Sequence, residues 1–171
     1  MRKSIALLPG LIGTAFGGHA IAADMNVKLE IPRLTVAEYH RPYVAAWIER
    51  ADQSIATNLA LWYDVNKKGA EPGTKWLQDL RQWWRKGGRD LQVPLDGVSG
   101  ATRPVGEHAL SIGDKLAKLP AGEYAVAVEA AREGGGREVV RVPFSWPPKK
   151  ADTAKAQGQH ELGTVSVELK P

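Results

Sequence analysis

Residues 120–129 read Pro120-Ala121-Gly122-Glu123-Tyr124-Ala125-Val126-Ala127-Val128-Glu129, and a glycine triplet, Gly134-Gly135-Gly136, follows shortly after. Tyr124, Val126 and Val128 alternate with Ala125, Ala127 and Glu129. That is the period of two that sends successive side chains to opposite faces of a strand. The glycine triplet permits the positive φ that a tight reversal needs. Arg137 to Trp146 then reads as the return strand, so a β-hairpin is predicted over this region.

Working outward, the same period recurs. Val27, Leu29 and Ile31 alternate with Lys28 and Glu30, giving a strand over Met25–Leu34 that Pro32 ends or edges. Arg41–Glu49 and Ser54–Tyr63 read as a second hairpin about Ala51-Asp52-Gln53. Near the C-terminus Val165, Val167 and Leu169 alternate with Ser166, Glu168 and Lys170. Asp64–Thr74 is polar, contains Gly69, Pro72 and Gly73, and reads as a loop whose Thr74 caps a helix. Lys75–Arg85 carries Trp76, Leu80, Trp83 and Trp84 at helical spacing and ends at Gly87-Gly88, which predicts one short amphipathic helix. Arg89–Leu110 has no clear period, Ser111–Leu119 is ambiguous, and the polar stretch Pro147–Gln159 reads as a loop. The prediction is a mainly β protein: an immunoglobulin- or fibronectin-like two-sheet sandwich with one short inserted helix, formed as a single domain by residues 24–171. No internal repeat is visible. No Gly-rich loop joins a strand to a helix, so a dinucleotide-binding reading has no footing.

The first 23 residues stand apart. Arg2 and Lys3 give a basic start, an apolar stretch runs from Ile5 to Phe16 broken by Pro9, Gly10 and Gly13, and Ala20-Ile21-Ala22 supplies a small-x-small exit. These are the parts of a cleavable secretory signal peptide, cut after Ala22 or Ala23. The apolar run is too short to span a bilayer. A periplasmic location is therefore expected. Of 23 Lys and Arg residues, Arg2 and Lys3 leave with the signal, so 21 remain against 19 Asp and Glu, a net of +2. No Lys/Arg block marks a nucleic-acid footprint. The chain has no cysteine, which excludes disulfides, thiolate metal sites and c-type haem attachment. Any redox role then needs a cofactor held by other chemistry.

One segment carries such chemistry. Asp96-Gly97-Val98-Ser99-Gly100-Ala101-Thr102 resembles Asp-x-x-Ser/Thr-Gly-Ala-Ser/Thr, the acceptor pattern of bacterial flavin transferases. Those enzymes cleave FAD and join FMN through its phosphate to the last Ser or Thr hydroxyl. Subunits of the sodium-pumping quinone reductase and of the Rnf complex carry such a pattern. The resemblance implies that Thr102 is the linkage residue and that Asp96, Ser99, Gly100 and Ala101 are recognised by the transferase. The chemistry agrees: a phosphoester needs an alcohol, and Gly100 and Ala101 let another protein's backbone come close. Arg103 is adjacent in sequence to pair with the phosphate. Of Trp76, Trp83 and Trp84 on the short helix, one or two are candidates to stack on the flavin, Trp83 and Trp84 first as nearest the segment, although large aromatics at helical spacing usually fill a core.

The wider sequence resembles a periplasmic family, the domain of unknown function 2271. The likeness rests on Trp76-Leu77-x-Asp79-Leu80-x-x-Trp83-Trp84, the Asp96–Pro104 segment, Gly122-x-Tyr124, and Glu129-Ala130-Ala131-Arg132-Glu133 with Gly136-Arg137-Glu138-Val139. Members are often encoded beside flavin transferases and PepSY-type membrane reductases, which implies those two partners. The Pro-x-Gly-x-Tyr lead into Ala125–Val128 also looks like a hairpin of flagellar hook-capping immunoglobulin-like domains, which bears on fold alone. His40, His108 and His160 are too scattered for a metal site. Asp96, Ser99 and His108 hold the letters of a hydrolase triad without a nucleophile elbow. The leading expectation is an electron carrier with covalent FMN on Thr102. Its rival is a cofactor-free binding or adaptor module using the loops Asp64–Thr74 and Arg89–Leu110.

Overall fold

The computed structural model describes residues 23–171. Apart from Ala23, the expected signal peptide lies outside the described residues. Among these, one sheet comprises β1 (Asp24–Ile31), β5 (Gly106–Ala109), β8 (Asp152–Gln157) and β9 (Thr164–Lys170), in the order β5-β1-β9-β8. The second sheet comprises β2 (Tyr43–Arg50), β3 (Ile55–Tyr63), β4 (Ser99–Ala101), β6 (Gly122–Ala131) and β7 (Arg137–Trp146), in the order β4-β3-β2-β6-β7. The predicted hairpin is β6-β7, antiparallel from Gly122 opposite Trp146 to Ala131 opposite Arg137. Gly134 at its tip adopts a φ of 64°. The β-sandwich with a short inserted helix is thus the architecture of the chain.

Two apolar layers hold it together. Between the sheets, Val27, Leu29 and Ile31 of β1 and Val165 and Val167 of β9 pack with Val44, Ala46 and Ile48 of β2 and Val126 and Val128 of β6. On the far face of the second sheet, Ala45, Trp47, Leu61, Tyr63 and Ala127 pack against Leu77, Leu80 and Trp83 of the segment between β3 and β4. This sheet is therefore covered on both sides. That explains why β2 is buried without interruption from Val44 to Glu49. Two carboxylates lie under this second layer and both are satisfied. Glu49 accepts from Arg141 Nε at 2.6 Å and from Trp47 Nε1 at 3.2 Å. Glu129 accepts from the backbone N–H groups of Gln82 and Trp83 at 3.0 and 2.8 Å.

The inserted segment differs from the predicted single helix. A 3-10 helix spans Gly73–Asp79, the chain breaks direction at Leu80, and one α-helical turn, α1, spans Arg81–Arg85. Of the buried residues Leu77, Leu80 and Trp83, the first lies in the 3-10 helix, the second at the break and the third in α1, so the insert keeps one side packed on the sheet through its change of helix type. Glu129 supplies the acceptor for the first N–H groups of α1, so the sheet itself fixes where that turn begins. Thr74 is not a cap: the preceding residue of the 3-10 helix is Pro72, with no side-chain cap bond. Two further expectations need correction. The stretch Pro147–Gln159 is not all loop, because Asp152–Gln157 forms β8 along the edge of β9. Arg89–Leu110 is not wholly irregular, because it supplies the edge strands β4 and β5.

A cleft beside Thr102 as candidate functional site

The acceptor-like segment folds as a tight reversal followed by a short edge strand. Gly97, at a φ of 63°, makes the reversal possible. The Leu95 carbonyl accepts from the N–H groups of Val98 at 3.2 Å and Ser99 at 2.9 Å. Ser99 Oγ accepts the Leu95 N–H at 2.8 Å and closes the turn. From there β4 runs parallel to β3, with Gly100 opposite Trp62 and Ala101 opposite Tyr63. Flanking bonds extend the pairing: Leu61 N–H donates to the Val98 carbonyl at 3.0 Å and Thr102 N–H to the Tyr63 carbonyl at 3.2 Å. Asp96 and Ala101 are exposed and Thr102 is half-buried. Gly100 has no positive φ, and a Cβ added there would meet Trp62 Cδ1 at 3.7 Å, an ordinary contact. The fold therefore has no steric need for glycine at that position.

Thr102 lines a cleft of about 670 Å³, within the span of about 300–1,000 Å³ typical of small-molecule sites. The cleft sits where strand ends converge. Tyr43 begins β2, Asp64 follows β3, Ala131 ends β6, Arg137 begins β7, and the Gly134–Gly136 turn lies between the last two. Trp76 and Asp79 of the 3-10 helix and the pair His40 and Arg41 complete the lining. Two anchors fix this frame. Tyr43 Oη donates to the Gly73 carbonyl at 3.1 Å, tying the insert to β2. Burial pushes the Tyr43 phenol above its ordinary pKa, so it stays a neutral donor. Arg132 donates to both oxygens of Glu161, at 2.8 and 3.1 Å, and the Gly136 N–H joins the same carboxylate at 2.8 Å. Those hydrogen bonds hold the Arg132 guanidinium firmly protonated.

The charge balance of the cleft is distinctive. Arg41, Lys67 and Arg137 line it, and none of them forms an ion pair among the described residues. Facing them are Asp64, Asp79 and Glu133, which also lack ion pairs there. Among the described residues, three cations and three carboxylates without ion pairs thus share the cleft with an aromatic ring, a mixed-charge setting in which the guanidinium and ammonium groups can meet phosphate oxygens. The cleft therefore brings together an alcohol, these three cations, these three carboxylates and one indole.

Not every residue expected in the site is in this cleft. Trp83 is fully buried against the sheet, with its Nε1–H donating to Asn58 Oδ1 at 2.8 Å. Trp84 is half-buried and lines an adjoining surface depression with Gln78, Arg81, Arg85 and Asp79, the last shared with the cleft. Trp76, 37% exposed, is the tryptophan that shares the cleft with Thr102. Arg103 lies with its guanidinium 5.4 Å from the Trp62 ring centroid, so a cation–π contact occupies it. His108 packs edge-on to Trp62 and places Nε2 2.8 Å from the Pro104 carbonyl oxygen, which stiffens the chain after Thr102. Sequence reading missed Arg41, Lys67 and Arg137 as neighbours, and ranked Trp83 and Trp84 ahead of Trp76. The three-residue spacing of Leu77, Leu80 and Trp83 was the available sign that Trp76 faces away from the core. Among the described residues no cluster of His, Asp or Glu is arranged to hold a metal ion, and no helix is long and apolar enough to cross a membrane.

Residues 24–164 match the family described as "Predicted periplasmic protein (DUF2271)". The chain belongs to this family. The family's description agrees with the periplasmic location read from the N-terminal segment, and the matched range takes in the whole cleft and every strand but β9, of which it reaches only Thr164. No curated protein and no solved structure matches the chain.

Proposed function

We propose that the protein is a periplasmic electron carrier with FMN esterified to Thr102. The observation that carries this reading is the position of Thr102. It directly follows a partly exposed, acceptor-like edge strand and at the same time lines a cleft that offers an indole and three cations without ion-pair partners among the described residues. The transferase step balances simply. The Thr102 hydroxyl oxygen bonds to the FMN phosphorus of FAD, the pyrophosphate bond breaks, AMP leaves, and the hydroxyl proton passes to a base on the transferase. The bound flavin supplies the redox chemistry; the chain supplies the tether, the setting and the surface on which partners act. Gly100 supports the same reading, since a glycine that the fold does not require suits close approach by another protein.

On this reading a flavin transferase loads the protein, a PepSY-type membrane reductase delivers electrons, and ferric iron or a ferric siderophore receives them. Intact mass decides the matter. The chain is expressed with and without an active flavin transferase, and the processed protein is weighed and run on a denaturing gel. The expected result is a mass increment of one FMN residue and fluorescence that survives denaturation, both absent in Thr102→Ala. An unmodified mass beside an active transferase that modifies its other targets would overturn the proposal and leave the cofactor-free adaptor as the better reading.

A further inference from the structure

Trp76 is the one large apolar side chain of the cleft that the fold leaves open. Of the exposed large hydrophobic residues, Val36, Tyr39, Trp76 and Leu91, it alone lines the cleft. Leaving an indole more than a third exposed forgoes burial energy that the same segment collects at Leu77, Leu80 and Trp83. The exposure is not a product of looseness. Gly73, at the start of the 3-10 helix, sits so close to the Asp64 carbonyl that an added Cβ would collide with it. The Gly73 N–H donates to the Lys67 carbonyl at 3.0 Å and its own carbonyl accepts from Tyr43 Oη. Leu77 is buried directly after the indole. Lys75, itself paired with Glu71, holds its ammonium 4.8 Å from the Trp76 ring centroid. An indole on a fixed support, with Lys75 over its ring and its open part turned to a mixed-charge cleft, is a platform for a planar partner.

We infer that Trp76 is a positioning residue for the flavin ring, forming the aromatic wall of the cleft that Thr102 opens into, with Arg41, Lys67 and Arg137 around the phosphate-bearing chain. The inference rests on the Thr102 reading and adds to it a seat, where the acceptor pattern alone specifies only a tether. A tethered ring without a seat samples solvent freely. A ring against an indole is held, shielded from water and quenched in its fluorescence by electron transfer from the indole.

The test uses the full-length chain loaded by a flavin transferase in the same host, as wild type, Trp76→Phe, Trp76→Ala and Trp84→Ala. Flavin content is measured by intact mass, and emission per bound flavin is compared in the native and the denatured state. The expected result is a several-fold rise in wild-type emission on denaturation, a native Trp76→Ala emission several-fold above wild type, Trp76→Phe in between, and Trp84→Ala like wild type. Visible circular dichroism of the flavin, a sign of a ring held in a chiral setting, is expected to weaken in the same order. A loaded Trp76→Ala or Trp76→Phe protein with wild-type emission and dichroism would overturn the inference while leaving Thr102 flavinylation intact. Folded Trp76 variants that take up no flavin would overturn it too, by placing Trp76 in the transferase's footprint. Absence of flavin from every variant would overturn the Thr102 reading and this inference with it.

Discussion

The backbone N–H of Thr102 donates to the carbonyl oxygen of Tyr63 at 3.2 Å, so the main chain, not the side chain, fixes where this threonine stands. Its alcohol is free for other chemistry. Thr102→Ala is expected to abolish covalent flavin while changing stability by less than about 0.5 kcal/mol. Thr102→Ser keeps a hydroxyl and is expected to retain modification. Intact mass and chemical denaturation of the same samples check both halves of the statement.

Ser99 has the opposite character. Its hydroxyl accepts the Leu95 N–H and shapes the turn before the acceptor strand. Ser99→Ala is expected to cost about 1 kcal/mol and to slow flavin loading, because the transferase would meet a less ordered strand. Gly97→Ala, at a positive φ, is expected to cost about 1–2 kcal/mol. Urea unfolding curves and the rate of mass increment under limiting transferase measure the two effects separately.

The three tryptophans of the insert are expected to separate sharply in stability. Trp83 is fully enclosed and bonded to Asn58, so Trp83→Ala is expected to cost about 3–5 kcal/mol. Trp76→Ala and Trp84→Ala remove exposed or half-buried rings and are expected to cost about 1 kcal/mol or less. Thermal unfolding of the three variants, compared at equal protein concentration, tests the ranking.

Two carboxylates give stability opposite dependences on pH. Burial raises the Glu129 pKa above the ordinary 4.5, against the backbone N–H groups of Gln82 and Trp83. A raised folded value means that folding takes up a proton. The contribution is full below 4.5 and is lost as pH rises through the folded value. The fall in stability over that window is expected to vanish in Glu129→Gln. Glu138 is also penalised by burial, but N–H groups of Gln159, Leu162, His160 and Glu161 outweigh it and lower its pKa below 4.5. Its contribution is full above 4.5 and is lost as pH falls through the lowered value. Glu138→Ala is expected to cost about 2 kcal/mol at pH 7 and progressively less in acid. Denaturation midpoints of wild type and variants across pH 3–8 check both signs.

The sandwich was legible wherever apolar and polar residues alternate. Val27, Leu29 and Ile31 announce β1, and Tyr124, Val126 and Val128 announce β6. β8 escaped notice because its inward positions are Ala154 and Ala156, too small to raise a hydrophobic signal, and they alternate with Lys155 and Gln157 on an edge. The insert was misread in its geometry. The 3-10 helix gives way to α1 at Leu80, and the carboxylate that starts α1 belongs to a strand far along the chain, Glu129. Of the site, the Asp96–Thr102 segment was visible as a local pattern. The cleft was not, because His40, Trp76, Arg132 and Arg137 come together only when the ends of β2, β3, β6 and β7 line up.

Pairing of Ala101 with Tyr63 joins the two ends of a long excursion that contains the entire tryptophan-bearing insert. Contacts that close such excursions form after local ones, since the entropy of bringing distant segments together must be offset first. The hydroxyl of Thr102 therefore takes up its final setting only once the sheet has acquired its outermost strand. On the proposed reading, a transferase that reads this setting would colour finished molecules and pass over nascent ones, so that pigment itself would be a certificate of maturation.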